Sequence, residues 1–244
     1  MIFAAGLGTR LKPLTDTMPK ALVKVEGRPL IEHVILNLKQ AGFERIVVNV
    51  HHFAQQIIDF LNDNHLYGMD IRISDEREKL LDTGGGIKKA LPLFDEQEPI
   101  LIHNVDILSN VNLREFYLQN QAGEATLLVS ERKTKRYLLF DQEKHHLCGW
   151  QNIKTSEVRS PYEHLEVSKY DRYAFSGIHL FSPLLRPSLE AMPDKFGIID
   201  FYLKYCRDHT FLGRVDKNLQ LMDVGKIDTL DDAEAFARQL TPLD

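Results

Sequence analysis

The sequence predicts an α/β fold, a Rossmann-like and mostly parallel central sheet with helices on both faces, and three observations carry that prediction. Short β-branched apolar runs alternate with segments whose apolar residues recur every three and four positions. Two glycine-rich strings, Gly6-Leu7-Gly8 and Gly84-Gly85-Gly86, stand where such alternation places ligand loops. Hydrophobic residues make up 43% and charged residues 27% of 244 positions, enough apolar surface for one large α/β core.

Taken in order, Met1-Ile2-Phe3-Ala4-Ala5 is an apolar strand feeding the first glycine string. Ala21–Val25 is expected to be extended, and Glu26-Gly27-Arg28-Pro29 a turn that delivers proline to the first helical position. Leu30, Ile31, Val34, Ile35, Leu38 and Ala41 follow at helical spacing, with Gly42 suited to the position just past the helix end. Arg45–Val50 is a buried strand, Phe53–Leu61 a helix and Ile71–Ile73 a short strand. Residues 81–91 predict a glycine loop running into a helix. Pro99–His103 is a strand that ends in Asn104-Val105-Asp106, and Val111–Gln121 is expected to be a helix.

Strand patterns return at Ala125–Val129, Tyr137–Phe140 and Tyr173–Phe181, the last with Gly177 in its middle. Residues 141–172 show the least pattern and fit either a lid or an oligomer contact. Pro193–Arg207 reads as helix, Phe211–Val215 as strand, Leu219–Met222 as extended, and Asp228 as the cap of a last helix ending at Gln239. One domain over 1–244 is preferred to two small ones.

The net charge of −5 argues against a nucleic-acid partner. Residues 1–30 are nevertheless locally positive, with Arg10, Lys12, Lys20, Lys24 and Arg28 against Asp16 and Glu26, so an anion is steered to that end. Two cysteines, Cys148 and Cys206, form no disulfide framework and fit a cytoplasmic setting. No apolar run is long enough for a membrane span, and the first strand begins so close to Met1 that a few residues are expected before it. Paired histidines at 51–52 and 145–146 lack the spacing of a metal site.

Candidate chemistry centres on the first string. Glycines permit positive φ and close approach, and successive amide groups around Gly6, Gly8 and Thr9 make a concavity for phosphate oxygens. Leu11 stands where a dinucleotide loop would have its third glycine, and Walker spacing is absent. Arg10 and Lys20 add full charge. Asp106, at the end of a central strand, is placed to share Mg²⁺ with a phosphate.

Residues 4–11, Ala-Ala-Gly-Leu-Gly-Thr-Arg-Leu, with Pro19-Lys20-Ala21-Leu22, closely resemble the opening of the sugar-1-phosphate nucleotidyltransferases. Later residues follow in family order: the loop at 82–86, Asp106, Ser176-Gly177 and Asp223-Val224-Gly225. The resemblance implies a nucleotide-diphospho-sugar transferase fold with a nucleotide-binding half at 1–125 and a sugar-binding half at 126–244. It implies that Ala4, Ala5, Gly6, Gly8, Thr9, Gly84, Gly85 and Gly86 contact the nucleotide, with base choice made between Ser74 and Asp82. Asn104, Ser176 and Gly177 are implied for the sugar phosphate, Arg10, Lys20 and Asp106 for catalysis, and Asp106 with Asp223 for Mg²⁺. Two positions depart from the family pattern: Val105 replaces a glycine and Lys226 a threonine.

The resemblance therefore implies transfer of a nucleoside monophosphate from an NTP to a sugar 1-phosphate, with release of pyrophosphate. Leu138–Asp141 and Cys148–Trp150 are most similar to short bacterial members that use UTP and N-acetylmuramate 1-phosphate. A guanylyl- or cytidylyltransferase for another sugar or alcohol phosphate, and a sensor that binds without turnover, are the alternatives; monomer and homo-oligomer both stay open.

Overall fold

A computed structural model of the chain describes residues 1–240, so the last four of the 1–244 span lie outside the described residues. Four parallel strands form one end of a ten-stranded sheet, in the spatial order Ile100–Asn104, Ile2–Phe3, Arg45–Val50, Asp70–Asp75, with the last at the edge. Beyond Ile100–Asn104 the sheet changes character. Asp171–Phe181 pairs antiparallel with it, and Arg136–Phe140, Leu147–Asn152 and Glu157–Arg159 follow as antiparallel neighbours. Ala125–Ser130 also pairs antiparallel with Asp171–Phe181 and carries Phe211–Val215 in parallel on its far side. Parallel pairing thus runs through the four-strand end of the sheet and recurs where Phe211–Val215 joins Ala125–Ser130. Connections such as 141–146 are too short for the crossover that a parallel neighbour needs, so that half folds as hairpins.

Strand periodicity divides the core between two faces. Ile46, Val48 and Val50 pack with helices Leu30–Gln40, Ala54–Asp63 and Leu113–Gln119, whereas Val47 joins Ile87, Ala90, Phe201 and Tyr202 of helices Asp82–Ala90 and Ile198–Tyr205 on the other side. Helix Leu30–Gln40 ends at Gly42, whose φ of 88° and amide bond to the Lys39 carbonyl close it as its sequence predicts.

Local expectations change at four places. Lys20–Leu22 is a 3₁₀ turn, with only Lys24–Val25 extended. The helix expected over Pro193–Arg207 is confined to Ile198–Tyr205. Asp228 lies in a 3₁₀ turn, Ile227–Thr229, and the last helix, Leu230–Gln239, starts without a side-chain cap. Residues 141–172 hold the hairpin Leu147–Asn152 with Glu157–Arg159, tied down by Arg159 to Asp200 at 2.5 Å.

Two further constellations join distant segments. Ser188 Oγ lies 3.0 Å from His209 Nε2, and His209 Nδ1 lies 2.7 Å from Glu124 Oε1, which links the short helix Arg186–Glu190 to the head of strand Ala125–Ser130. A two-stranded ribbon pairs Leu221–Asp223 with Ile107–Ser109, setting Asp223 opposite Ile107, and the Val224 amide donates to the Asp106 carbonyl at 2.8 Å.

Candidate active site

Each of the four parallel strands delivers residues to one cavity of about 560 Å³ at its carboxyl end. Residues 3–10 run out of strand Ile2–Phe3 and form one wall; Asn49 comes from strand Arg45–Val50, Glu76 follows strand Asp70–Asp75, and Asn104 ends strand Ile100–Asn104 with Val105 and Asp106 after it. Leu80, Asp82 and Thr83 close the far side, with Gly197 and Gly225 at the rim.

The first loop owes its shape to Gly8. Its φ is 64°, and a Cβ there would meet Thr15 Cγ2 at 2.9 Å and Lys20 Cβ at 3.1 Å. Thr15 Oγ1 donates to the Gly8 carbonyl at 2.8 Å and the Leu11 amide does so at 2.9 Å, while fully buried Leu11 anchors the turn in the core. This arrangement leaves Gly6, Leu7, Gly8, Thr9 and Arg10 along the cavity.

Lys20, only 9% exposed, is ion-paired with Asp106 Oδ2. Burying an ammonium is tolerable only with such a partner. Asp223 joins them through the ribbon. Burial, and after it the negative charge of Asp106, push its carboxyl above the ordinary range, while the cations Lys20, Arg10 and Arg132 oppose the shift. Asp223 Oδ1 is buried without a hydrogen-bond partner among the described residues, and a Cβ on Gly225 would meet it at 2.6 Å and Arg10 Nη2 at 3.1 Å. An orphaned carboxylate oxygen near a second carboxylate fits a hard divalent cation completed by phosphate oxygens and water. Among the described residues no cluster of three or more His, Cys, Asp or Glu is arranged for a metal, so Asp106 and Asp223 would need ligand oxygens to complete a shell.

The structure brings together Ala4, Ala5, Gly6, Gly8, Thr9, Arg10, Lys20, Asn104 and Asp106 on the cavity, and sets Asp223 beside them. Gly177, at φ 75°, abuts Asn104, whose Nδ2 a Cβ would approach to 2.7 Å. Ser176 is fully buried and its Oγ has no hydrogen-bond partner among the described residues. The three glycines at 84–86, expected in a loop, lie inside helix Asp82–Ala90. Gly84 and Gly85 give their amides to the Phe196 carbonyl, and added Cβ atoms would strike Phe196 at 2.2 Å and the Asp194 carbonyl at 2.1 Å. Gly84 and Gly85 are thus packed closely against protein, and Asp82 and Thr83 at the start of the same helix line the cavity. Val105, one departure from the family pattern, is 4% exposed and packed in the core. None of residues 141–172 lines the cavity.

Sequence reading missed Asn49 and Glu76. Asn49 interrupts an apolar strand, a signal that a buried polar group has a specific partner. Glu76, whose carboxyl burial pushes upward, carried no such mark.

A loop turned at Gly8 beside a buried lysine and two carboxylates, at the carboxyl ends of parallel strands, is an arrangement suited to phosphate groups in an α/β protein. Residues 1–239 match the Nucleotidyl transferase family, and the chain belongs to that family. It is 34% identical over 241 residues to an N-acetylmuramate alpha-1-phosphate uridylyltransferase of Neisseria meningitidis, covering 97% of each chain. A Caulobacter vibrioides protein of the same name is 49% identical over 108 residues, covering 43% of this chain and 44% of that one. HddC of Yersinia pseudotuberculosis, solved with GMP-PN, shares the fold with a TM-score of 0.73 at 22% identity over 97% of both chains. Among the described residues no helix is long and apolar enough to cross a membrane.

Proposed function

We propose that the chain transfers uridine monophosphate from UTP to N-acetylmuramate 1-phosphate, releasing pyrophosphate. The observation that carries this reading is the Lys20–Asp106 pair set beside Asp223 and opposite the Gly6–Arg10 cradle. The full-length likeness to the Neisseria protein supports the choice of substrates.

An oxygen of the sugar phosphate attacks the α-phosphorus in line and pyrophosphate leaves, so no protein nucleophile is needed and the work is positioning and charge neutralisation. The amides of Gly6, Gly8 and Thr9 hold the triphosphate, and Ala4 and Ala5 contact the nucleoside. Arg10 neutralises the leaving β- and γ-phosphates. Lys20, aimed by Asp106, screens the repulsion between the two phosphates that must meet. Asn104, braced by Gly177, orients the sugar phosphate, with Ser176 supporting that wall. Asp106 and Asp223 would hold Mg²⁺, which when bound supplies Lewis-acid polarisation of the α-phosphate.

A matrix of four NTPs against several sugar 1-phosphates, read as Mg²⁺-dependent pyrophosphate release, tests the reading. UTP with N-acetylmuramate 1-phosphate is expected to give the highest kcat/KM. A higher value with GTP or CTP would make the chain a guanylyl- or cytidylyltransferase, and nucleotide binding with no turnover in any well would make it a sensor.

A further inference from the structure

Asn49 and Glu76 lie on the cavity wall, yet the transfer chemistry above uses neither. They are 2% and 1% exposed, and buried polar groups of this kind must have partners. Ala4 N–H donates to Asn49 Oδ1 at 2.8 Å. Asn49 Nδ2 donates to Glu76 Oε1 at 2.7 Å, and Leu81 N–H donates to Glu76 Oε2 at 3.1 Å. This chain of three bonds runs from the root of the first loop to the residue that precedes helix Asp82–Ala90, where Asp82 and Thr83 face the cavity. Gly86 closes the pair from behind. A Cβ there would stand 2.9 Å from Glu76 Oε1 and 3.0 Å from Asn49 Nδ2, which gives the third glycine of the run a physical reason.

We propose that Asn49 and Glu76 are positioning residues that fix the gap between the two loops of the nucleotide site, and thereby set affinity for the nucleoside triphosphate. This rests on the nucleotidyl-transfer reading above. The polarity of the chain supports it. Both ends are main-chain donors, so the side chains between them must accept at each end and still bond to one another. One amide and one carboxylate meet that demand. Two amides leave a donor facing a donor, and two carboxylates place like charges in contact. The reverse arrangement, aspartate at 49 and glutamine at 76, meets the demand equally well and keeps the net charge.

The test is a polarity swap, with Glu76→Gln, Asn49→Asp and the double variant N49D/E76Q assayed as full-length protein with UTP and the sugar phosphate. Each single variant is expected to raise KM for UTP about tenfold or more, the scale of one lost charge-assisted hydrogen bond. Values of kcat and of KM for the sugar phosphate should stay within about twofold, and the double variant should restore KM for UTP to within about twofold of wild type. Gly86→Ala, which presses on the pair, should raise KM for UTP as the single variants do. A Glu76→Gln protein with unchanged KM for UTP overturns the proposal. So does a double variant that fails to fold or behaves no better than the worse single one. Amide exchange without nucleotide separates this proposal from the functional reading: Ala4 and Leu81 should exchange slowly in wild type, rapidly in Glu76→Gln and slowly again in the swap, whether or not UTP turns over. Slow exchange with no turnover sinks the functional reading alone, and rapid exchange at both amides in wild type sinks the positioning pair.

Discussion

Two clefts of nearly equal size open at opposite ends of the same parallel strands. The cavity at the carboxyl ends measures about 560 Å³, and a cleft at the amino ends, between Phe43–Ile46 and Pro99–Leu101, measures about 590 Å³. Their walls differ in kind. At the amino end the exposed Arg45 pairs with Asp70 at 2.7 Å, beside the edge-to-face pair of Phe43 and Tyr117. Exposed pairs of that sort contribute little. At the carboxyl end a lysine is buried on its carboxylate and Asp223 keeps an orphaned oxygen. Strand direction, more than volume, locates chemistry, because the carboxyl ends of parallel strands carry the loops that line the cavity.

The sharpest way to break this contrast is to remove the buried charges. Lys20→Ala and Asp106→Asn should each lower kcat on the order of 10²–10³-fold, as the loss of one charge-stabilising group does, while the protein stays folded by circular dichroism. Near-normal pyrophosphate release by Lys20→Ala would move the reaction elsewhere. Asp223→Asn should raise the Mg²⁺ concentration for half-maximal turnover by at least about tenfold, the scale seen even for outer-shell partners of a metal. An unchanged Mg²⁺ titration would take Asp223 out of the metal site.

Acid should expose a difference of another sort. His103 and His179 are buried, and burial lowers their pKa values from 6.5 to about 4 and about 3. Both are neutral in the native protein but take up protons on unfolding below pH 6.5. Their contribution to stability is fully present above that value and is lost between pH 6.5 and about 4 for His103, and down to about 3 for His179. At about 1.4 kcal/mol per unit, the denaturation midpoint should fall markedly between pH 7 and pH 5, and His179→Leu should flatten part of that slope. A flat profile over that range would show that neither imidazole is held neutral. Smallest of all, Arg45→Ala and Arg114→Ala in the amino-end cleft should leave kcat/KM within about twofold. A larger fall would give that cleft a part in the reaction.

Much of the parallel part of the sheet was legible because its information is local. The run Arg45–Val50 and the spacing of Leu30 through Leu38 each state their own burial, and the loop at 6–10 states its own chemistry. The antiparallel half was less legible, since hairpin pairing depends on which strand lies across from which. Three glycines in a row announced a close approach, but not whether a ligand or Phe196 makes it. The bond between Asn49 and Glu76 spans 27 positions and joins a strand to the residue just past its neighbour's end, so neither residue alone carries its meaning.

The ribbon of Leu221–Asp223 on Ile107–Ser109 has a consequence for timing. Asp223 sits opposite Ile107 and the next amide is bonded to the carbonyl of Asp106, so main-chain bonds act as a caliper between the two acidic side chains. A slip of one residue would turn the carboxylate of Asp223 to the opposite face. The gap is therefore cut to size when the chain folds, and an arriving anion meets a site whose ordering cost was met before it came.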